Sequence, residues 1–350
     1  MNKKQIITSV GVVLLTVGIV GGIWSGIEAM PKVITNLQAI QAKQEEKEVL
    51  YNSEDKITKL NIDSTVSNVF IKKHDKSNII VERSGDKDIS TITIEGGNNE
   101  LTIKEEQRNI TKETKNVDDL VKYVIDEMYS SHSSQIVVYL PEKVDADVKT
   151  SYTGLIVEDD ILLDTLNYET SSGHISIIEG LNLENLNIKS QSEVSLATGE
   201  MNGIKNVSLI GNYVNIHGSN SIVDEAKIPD NLEIKVTGGY YDNHDVTINS
   251  NVPVAKNIVI DSGSTVAIDL PIVDYKFNFD VNASRGIKFE ASDYDKYKNT
   301  PLEKYFEKIN SEEETEKDLV RDLKGLINEE TQTNENEYFI KVKSAYTVFN

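Results

Sequence analysis

Residues 166–177 read LNYETSSGHISI, residues 186–196 read LNIKSQSEVSL and residues 207–216 read VSLIGNYVNI. In each stretch, apolar side chains alternate with polar ones on both sides of a short segment rich in Ser, Gly, Gln or Asn. Two-residue alternation is typical of a strand with one buried face, and these small and polar residues favour turns. Each stretch is therefore predicted to be a strand, a turn and a second strand.

The spacing of these units indicates how they assemble. They begin at Ala146, Leu166, Leu186 and Val207, in steps of 20, 20 and 21 residues. A repeat of this length with β alternation is typical of the coils of a β-solenoid, or β-helix-like repeat. A single coil buries too few side chains to fold alone, so successive coils must stack. We therefore expect a mainly β chain with Leu166, Leu186 and Val207 one above another.

Shorter alternating stretches flank the repeat on both sides. Before it, Gly96-Gly97-Asn98-Asn99 is a strong hairpin signal between two of these strands. After Pro229 the alternation continues with looser spacing as far as Phe289. Residues 107–132 differ, because the apolar positions from Val117 to Met128 follow helical spacing. We interpret them as a helical insertion in the β domain.

The end of the chain predicts helices that cover the open end of the sheet. Thr300-Pro301-Leu302-Glu303 is a capping box with Pro at the first helical position. Beyond it, Leu319, Leu323, Leu326 and Ile327 share one side of a second predicted helix. Residues 301–329 are therefore expected to form C-terminal helices that cap or flank the solenoid. A last strand, Tyr338 to Val348, is expected to return to the sheet.

The beginning of the chain predicts one transmembrane helix. Residues 6–27 carry no charge over 22 residues, which corresponds to about 33 Å of helix. Lys3 and Lys4 precede this segment, which places the N-terminus in the cytoplasm. A cleaved signal peptide is the alternative, although its apolar core is usually shorter. The predicted organisation is a cytoplasmic N-terminus (1–5), a signal-anchor helix (6–27), a juxtamembrane helix or stalk (28–57), a β-repeat domain (58–295), and a helical cap with the final strand (296–350).

The composition restricts the function. The 350 residues carry a formal net charge of −21, which repels the phosphate backbone and argues against nucleic-acid binding. The chain has no cysteine, which excludes disulfides, thiolate metal sites and a cysteine nucleophile. The expected location is the cell membrane, crossed once, with the C-terminal domain outside the cytoplasm.

A family resemblance rests on two stretches of the repeat region. Residues 136–159 read IVVYLPEKVDADVKTSYTGLIVED, and LNYETSSGHISI follows at 166–177. A strand that ends in Leu140-Pro141, with turns at Thr150-Ser151 and Thr170-Ser171, resembles the bacterial β-strand-repeat family called "putative adhesin", a domain of unknown function in membrane-anchored envelope proteins. The resemblance covers about residues 58–290. It implies a β-repeat fold and no catalytic residues.

No catalytic or cofactor-binding site is predicted. The five histidines are scattered, and neither a nucleophile elbow nor a phosphate loop occurs. Residues 238–245, GGYYDNHD, are similar to a calcium-binding repeat of β-rolls, so that Asp242 and Asp245 are weak metal candidates. Tyr241 stands where that repeat needs Gly, and a solvated turn is the simpler interpretation. We expect no cofactor.

Three functions remain open at this stage. The first is a non-catalytic binding or scaffold module whose partners are the bilayer, through residues 6–27, and an envelope protein or cell-wall polymer. The second is a carbohydrate-active β-helix enzyme, because such folds present paired carboxylates. The third is a regulatory module of an envelope-stress system that acts through the helices predicted at 116–129 or 301–329.

Overall fold

The structure is a computed structural model. It describes residues 46–350 except 86, 109–133, 142, 159–162, 178–180, 182, 220–222, 238–243, 273, 290–302, 304–319 and 328–336. The segment 6–27, residues 109–132 of the predicted insertion and Asp242 therefore lie outside the described residues. Among those that are described, none belongs to a helix with the length and apolar character needed to cross a bilayer.

The chain divides into two compact units. The first comprises Met1–Glu48, Ser84–Lys87 and Asn109–Ser134. In this unit the ammonium group of Lys87 lies 3.0 Å from a carboxylate oxygen of Glu46 and 3.3 Å from one of Glu48. The second unit comprises Val49–Arg83, Asp88–Arg108 and Gln135–Asn350, and it contains the repeat.

The described residues form 22 strands, numbered β1 to β22 in chain order, and two short 3₁₀ helices, Thr198–Met201 and Glu225–Lys227. One set, the first-face strands, opens each coil: β2 Lys59–Ser64, β6 Glu100–Gln107, β8 Val144–Thr150, β10 Leu163–Thr170, β12 Asn185–Ser190, β14 Asn206–Gly211, β16 Asn231–Val236 and β18 Asn257–Asp261. The second-face strands follow them: β3 Asn68–Lys73, β7 Gln135–Leu140, β9 Leu155–Val157, β11 Ile175–Ile177, β13 Glu193–Ala197, β15 Tyr213–His217, β17 His244–Asn249 and β19 Thr265–Asp269. The remaining strands are β1 Lys47–Ser53, β4 Ile79–Ser84, β5 Ser90–Gly97, β20 Lys276–Phe289, β21 Asp322–Ile327 and β22 Glu337–Phe349.

The repeat stacks in parallel, as the sequence predicts. Leu166 lies opposite Ala146 on one side and Leu186 on the other, and Leu186 lies opposite Val207. The mainly β class and the stacking of successive units are thereby confirmed. The hairpin is also confirmed, because β5 and β6 pair antiparallel around Asn98 and Asn99, whose φ angles are 53° and 63°.

The core contains side chains that point inward from both faces of the stack. On the first face, this inward set continues from the first-face strands into β22 and β20. Two columns of apolar residues run through the stack, and their members are at most 2% exposed. The first column is Leu101, Leu60, Ala146, Leu166, Leu186, Val207, Leu232, Ile258, Ile340 and Phe279. The second lies two residues further along each strand, from Ile103 to Val281. Stacking therefore removes from water the side chains that a single coil would expose.

The order of the strands departs from the order of the chain at both ends. At one end, β2 lies between β6 and β8, and β3 lies between β7 and β9. At the other end, β22 lies between β18 and β20, and its C-terminal half pairs with β19. Aromatic rings close this end, where Phe289 stacks on Phe349 with ring centroids 5.0 Å apart.

Two sequence expectations are corrected. Residues 322–327, expected in a C-terminal helix, form β21, which pairs antiparallel with β20. Gly325 has a φ of +117°, outside the helical region, and β20 offers an edge of backbone groups that a strand can pair. The rest of the expected C-terminal helices is outside the described residues apart from Glu303, Val320 and Arg321. In addition, residues 47–53, expected in the stalk, form β1, the edge strand beside β4.

Candidate functional site

The outer surface of the first face carries a groove across six neighbouring strands, β6, β2, β8, β10, β12 and β14. Its volume is about 600 Å³. At the ordinary strand spacing of about 4.8 Å, six strands span about 24 Å along the stack. We call this feature the first-face groove. It is lined by two columns of outward-pointing side chains, which are Thr102, Asn61, Asp147, Asn167, Asn187 and Ser208 in one column and Lys104, Asp63, Lys149, Glu169, Lys189 and Ile210 in the other.

The first of these columns contains a ladder of amide and carboxylate groups, formed by Asp147, Asn167 and Asn187. Nδ2 of Asn187 donates to Oδ1 of Asn167 at 2.8 Å, and Nδ2 of Asn167 donates to Oδ1 of Asp147 at 2.6 Å. A primary amide has two N–H donors and an oxygen with two lone pairs. The ladder uses one donor and one lone pair of Asn167, so a donor and an acceptor are left to meet a ligand.

Asp147 is held in its ionised form. The ammonium of Lys59 lies 3.1 Å from its Oδ2. Burial by itself would raise the pKa of Asp147, but the hydrogen bonds from Asn167 and Lys59 outweigh this effect and place the pKa below its ordinary value. This carboxylate therefore serves as an acceptor at neutral pH.

The charges of the second column alternate in sign from strand to strand. Their order along the stack is Lys104, Asp63, Lys149, Glu169 and Lys189. Nζ of Lys189 lies 3.1 Å from Oε1 of Glu169. Across both columns, the three lysines balance Asp63, Asp147 and Glu169. The first-face groove is thus close to electrically neutral in a chain whose net charge is −21.

A second polar cluster surrounds Glu105, an inward-pointing residue near the C-terminal end of β6. It is 1% exposed and accepts five hydrogen bonds, from the hydroxyls of Ser64, Ser67 and Ser90 and from the backbone N–H groups of Val66 and Ser67. Burial would raise its pKa, but these donors lower it below the ordinary value. Since its oxygens are saturated by the protein itself, Glu105 is a structural anion rather than a ligand site.

Of the two metal candidates from the sequence, Asp245 is described and Asp242 lies outside the described residues. Asp245 is 5% exposed at an irregularity of β17, between His244 and Val246. Burial raises the pKa of Asp245, and Oδ2 has no hydrogen-bond partner among the described residues. Within the described ranges, no three His, Asp or Glu side chains cluster as a metal site would require. His174 and His217 are exposed.

The sequence contained the signal for the amide ladder, but the prediction missed it. Asn167 and Asn187 follow Leu166 and Leu186 at the same position of two successive units. Because side chains alternate along a strand, an in-register stack places these residues side by side on the outer surface. A polar residue type repeated at one position of the unit therefore predicts a ladder.

Comparisons with known proteins found a family match and similar solved structures. The family model Toastrack DUF4097 matches residues 57–286, which agrees with the resemblance drawn from the repeat region. Among solved structures, the chain is similar to a protein described as a "putative adhesin" from Bacteroides fragilis, with 9% identity, 87% of this chain and 97% of that chain covered, and a TM-score of 0.33. It is also similar to one described as a "putative cell adhesion protein" from Clostridium sporogenes, with 11% identity, coverage of 87% and 96%, and a TM-score of 0.22. No curated protein matches significantly.

Proposed function

The chain belongs to the Toastrack DUF4097 family, and from this premise we propose that it is a membrane-anchored, extracytoplasmic and non-catalytic binding module. Its binding surface is the first-face groove, and its ligand is an uncharged, hydroxyl-rich polymer of the envelope, such as a neutral glycan. The observation that supports this proposal is the amide ladder of Asp147, Asn167 and Asn187, with unused donors and acceptors at successive strands.

The shape of the groove favours an extended ligand. Groups in the ladder recur at the strand spacing of about 4.8 Å, and a linear polymer with repeated hydroxyls can bond to several of them at once. Individually weak contacts then add through their high effective concentration. A compact small molecule would meet only one or two of them.

The charge distribution favours a neutral ligand. The lysines of the second column lie beside acids of neighbouring strands, so a polyanion gains little from them. A polycation is attracted by the chain's net charge of −21, but the carboxylates of the groove are already balanced by lysines. A neutral polyol exchanges hydrogen bonds with water for hydrogen bonds with the ladder and pays no cost for burying an unpaired charge.

The anchor is supported by the sequence of residues 6–27, which is long enough to span a bilayer. Lys3 and Lys4 favour an orientation with the β domain outside the cytoplasm. A chain without residues 6–27 should move from the membrane fraction to the soluble fraction. Recovery of this chain in the membrane fraction would contradict the anchor without affecting the binding proposal.

Binding is tested with the full chain in detergent and an insoluble neutral glycan, such as a β-linked N-acetylglucosamine polymer. The double variant Asn167→Leu/Asn187→Leu removes the donors and acceptors of the ladder and should reduce co-sedimentation at least tenfold. Asn215→Leu, on the second face, is the matched control and should bind like the wild type. Equal binding by all three proteins would overturn the proposal, and selective retention of an envelope protein by the wild type would replace the glycan with a protein partner.

A further inference from the structure

The second face contains a break that the first face lacks. Strands β10 and β12 pair in register from Thr165↔Asn185 to Thr170↔Ser190. Their continuations on the second face, β11 and β13, belong to different sheets and share no ladder. Two consecutive coils are therefore joined on one side and separated on the other.

One carboxylate bridges this break at the C-terminal ends of β11 and β13. Glu200 accepts a hydrogen bond from the backbone N–H of Ile177 in β11, at 3.3 Å, and another from that of Ala197 in β13, at 2.7 Å. It satisfies backbone donors of both strands, which a ladder would otherwise pair. The break is consequently a stable feature with its own hydrogen bonds.

At the N-terminal ends of β11 and β13 the break opens into a cleft of about 270 Å³, lined by residues of both coils. Its lining includes the buried Tyr168 and, nearer the solvent, Ser172, His174, Ser192, Glu193 and Ser195. The volume lies just below the range of pockets for drug-sized ligands, which is about 300–1,000 Å³. The cleft suits a ligand of one ring with several hydroxyl groups.

The position of Tyr168 is fixed by its surroundings. Its hydroxyl lies 2.9 Å from Oγ1 of Thr150 and within hydrogen-bond distance of the carbonyl oxygens of Thr153 (3.2 Å) and His174 (3.1 Å). These contacts tie the turn that carries His174 to the turn of the preceding coil. The cleft is thus built on a rigid base, which lowers the entropic cost of binding.

An exposed aromatic side chain lies in the turn next to the cleft. Tyr152 is 78% exposed. The preceding residue, Ser151, accepts a hydrogen bond at its carbonyl oxygen from the backbone N–H of Ser172, at 3.0 Å. The ring of His174 lies against Gly154 in the same turn, so closely that a Cβ atom there would be 2.5 Å from it. The exposed side chains of Tyr152 and His174 therefore belong to stacked turns of two adjacent coils. Aromatic side chains in such turns are suited to cover the C–H face of a sugar.

The polar lining selects against anionic ligands. Glu193 and His174 have no hydrogen-bond or ion-pair partner within the described part of the chain, and the cleft lining includes no lysine or arginine. A carboxylate such as Glu193 accepts hydrogen bonds from hydroxyls but repels an anionic ligand. We propose that this cleft binds a single neutral sugar unit, with Tyr152 and His174 against its ring and Glu193 accepting hydrogen bonds from its hydroxyls.

The proposal is tested by saturation-transfer NMR and titration of the full chain with the methyl glycosides of glucose, N-acetylglucosamine and glucuronic acid. The neutral sugars should bind, and glucuronic acid should bind more weakly. Tyr152→Ala and Glu193→Gln should each weaken the neutral sugars roughly fivefold to tenfold. Glu233→Gln, an exposed carboxylate of β16 outside the cleft, is the matched control and should leave binding unchanged.

Each alternative outcome contradicts the assignment. Equal binding by the wild type and the two cleft variants would place any sugar site elsewhere, and tighter binding of glucuronic acid would contradict the role of Glu193. The ladder variant Asn167→Leu/Asn187→Leu separates this proposal from that of the first-face groove. It should lose the polymer but keep the monosaccharides, because its substitutions lie outside the cleft.

Discussion

At the scale of single residues, the most consequential side chain is a buried acid. The last inward position of the first-face strands carries hydroxyls in several coils, such as Ser64, Thr150 and Thr170, which bond to the turns that follow. In β6 this position is occupied by Glu105, which accepts hydrogen bonds from the turn after β2 and from Ser90. The nearly buried Arg83 donates in turn to Ser90 at 2.9 Å. Glu105 therefore joins β2, β5 and β6 at one end of the stack.

Replacement of Glu105 should be costly. Glu105→Gln puts an amide N–H₂ among groups that are themselves donors, and we expect the free energy of unfolding at pH 7 to fall by about 3 kcal/mol. Denaturant unfolding of the full chain measures this loss. Glu106→Gln, at the exposed neighbouring position, should change stability by less than about 0.5 kcal/mol. Similar losses in the two variants would contradict the structural role of Glu105.

The stabilisation that Glu105 provides should depend on pH. The pKa of Glu105 is lower in the folded state than in the unfolded state, so its stabilisation is complete above the unfolded value of about 4.3. It is lost as the pH falls through the folded pKa. The difference in unfolding free energy between the wild type and Glu105→Gln should therefore shrink below about pH 4. A difference that stays constant down to pH 2 would show that the charge of Glu105 does not stabilise the fold.

A glycine shows how tightly adjacent turns approach. A Cβ atom at Gly173 would lie 2.0 Å from the carbonyl oxygen of Thr153, which belongs to the backbone of the preceding coil. Gly173→Ala should therefore destabilise the protein by about 1–3 kcal/mol. Gly154→Ala meets only the ring of His174, which is exposed and can turn away, so its effect should be smaller. Thermal unfolding of the two variants gives the comparison, and a larger loss for Gly154→Ala would refute it.

Residue-scale features differ in how far the sequence predicts them. Alternation from Leu101 and Ile103 places Glu105 on the inner side of its strand, so its burial could have been predicted. Its partners could not, because Ser64, Ser67 and Ser90 lie 15 to 41 residues away and meet it only through the stack. Asp245 is similar, since its burial depends on an irregular residue in β17 that no local pattern reveals.

At the scale of the elements, a second amide ladder ties the start of each coil to the next. Nδ2 of Asn206 donates to Oδ1 of Asn185 at 3.1 Å, and Asn231 donates to Asn206 at 2.7 Å. Asn257 continues the ladder, donating to Asn231 at 3.3 Å. Each of these residues directly precedes the first inward side chain of its strand. The ladder therefore fixes the register of four consecutive strands.

Interruption of this ladder should lower stability moderately. Asn231→Ala removes both the hydrogen bond that Asn231 donates and the one that it accepts, and we expect a loss of about 1 kcal/mol in unfolding free energy. Asn249→Ala, at an exposed position of β17, is the control and should be close to neutral. Chemical denaturation measures both variants. Equal effects would show that the ladder adds no stability.

The elements also show where local pattern is insufficient. The alternating strands of the repeat were predictable because burial of one face repeats every two residues. The helix expected through Leu323 and Leu326 was wrong at those positions, because both helical spacing and strand pairing can bury Leu323. Pairing with the edge of β20 stabilises a strand at these positions. This edge forms only when distant parts of the chain have assembled.

At the scale of the whole stack of coils, the charges of neighbouring strands are consistent with the observed strand order. Asp63 of β2 lies between Lys104 of β6 and Lys149 of β8, which would be neighbours if β2 were absent. At the other end, Lys343 of β22 lies beside Asp261 of β18. Strands that enter the stack out of chain order thus bring the opposite charge, which favours this order over one in which like charges meet. Alternation along the chain could not reveal it, because the partners are set by the path of the backbone.

The final strand provides the clearest test of this arrangement. β22 is the last strand of the chain but lies inside the stack, where Ile340 packs between Ile258 and Phe279. A chain that ends at residue 336 should therefore lose more than a terminal strand, because the inner residues of β18, β19 and β20 lose their partner. We expect a fall in the midpoint of thermal unfolding and a broader transition, followed by circular dichroism. Adding the peptide of residues 337–350 should restore much of the loss, whereas the same peptide with Val342→Asp, an inward position that is 1% exposed, should not. A truncated chain that unfolds like the wild type would show that β18 and β20 do not depend on β22, and the intercalated order of strands would then be wrong.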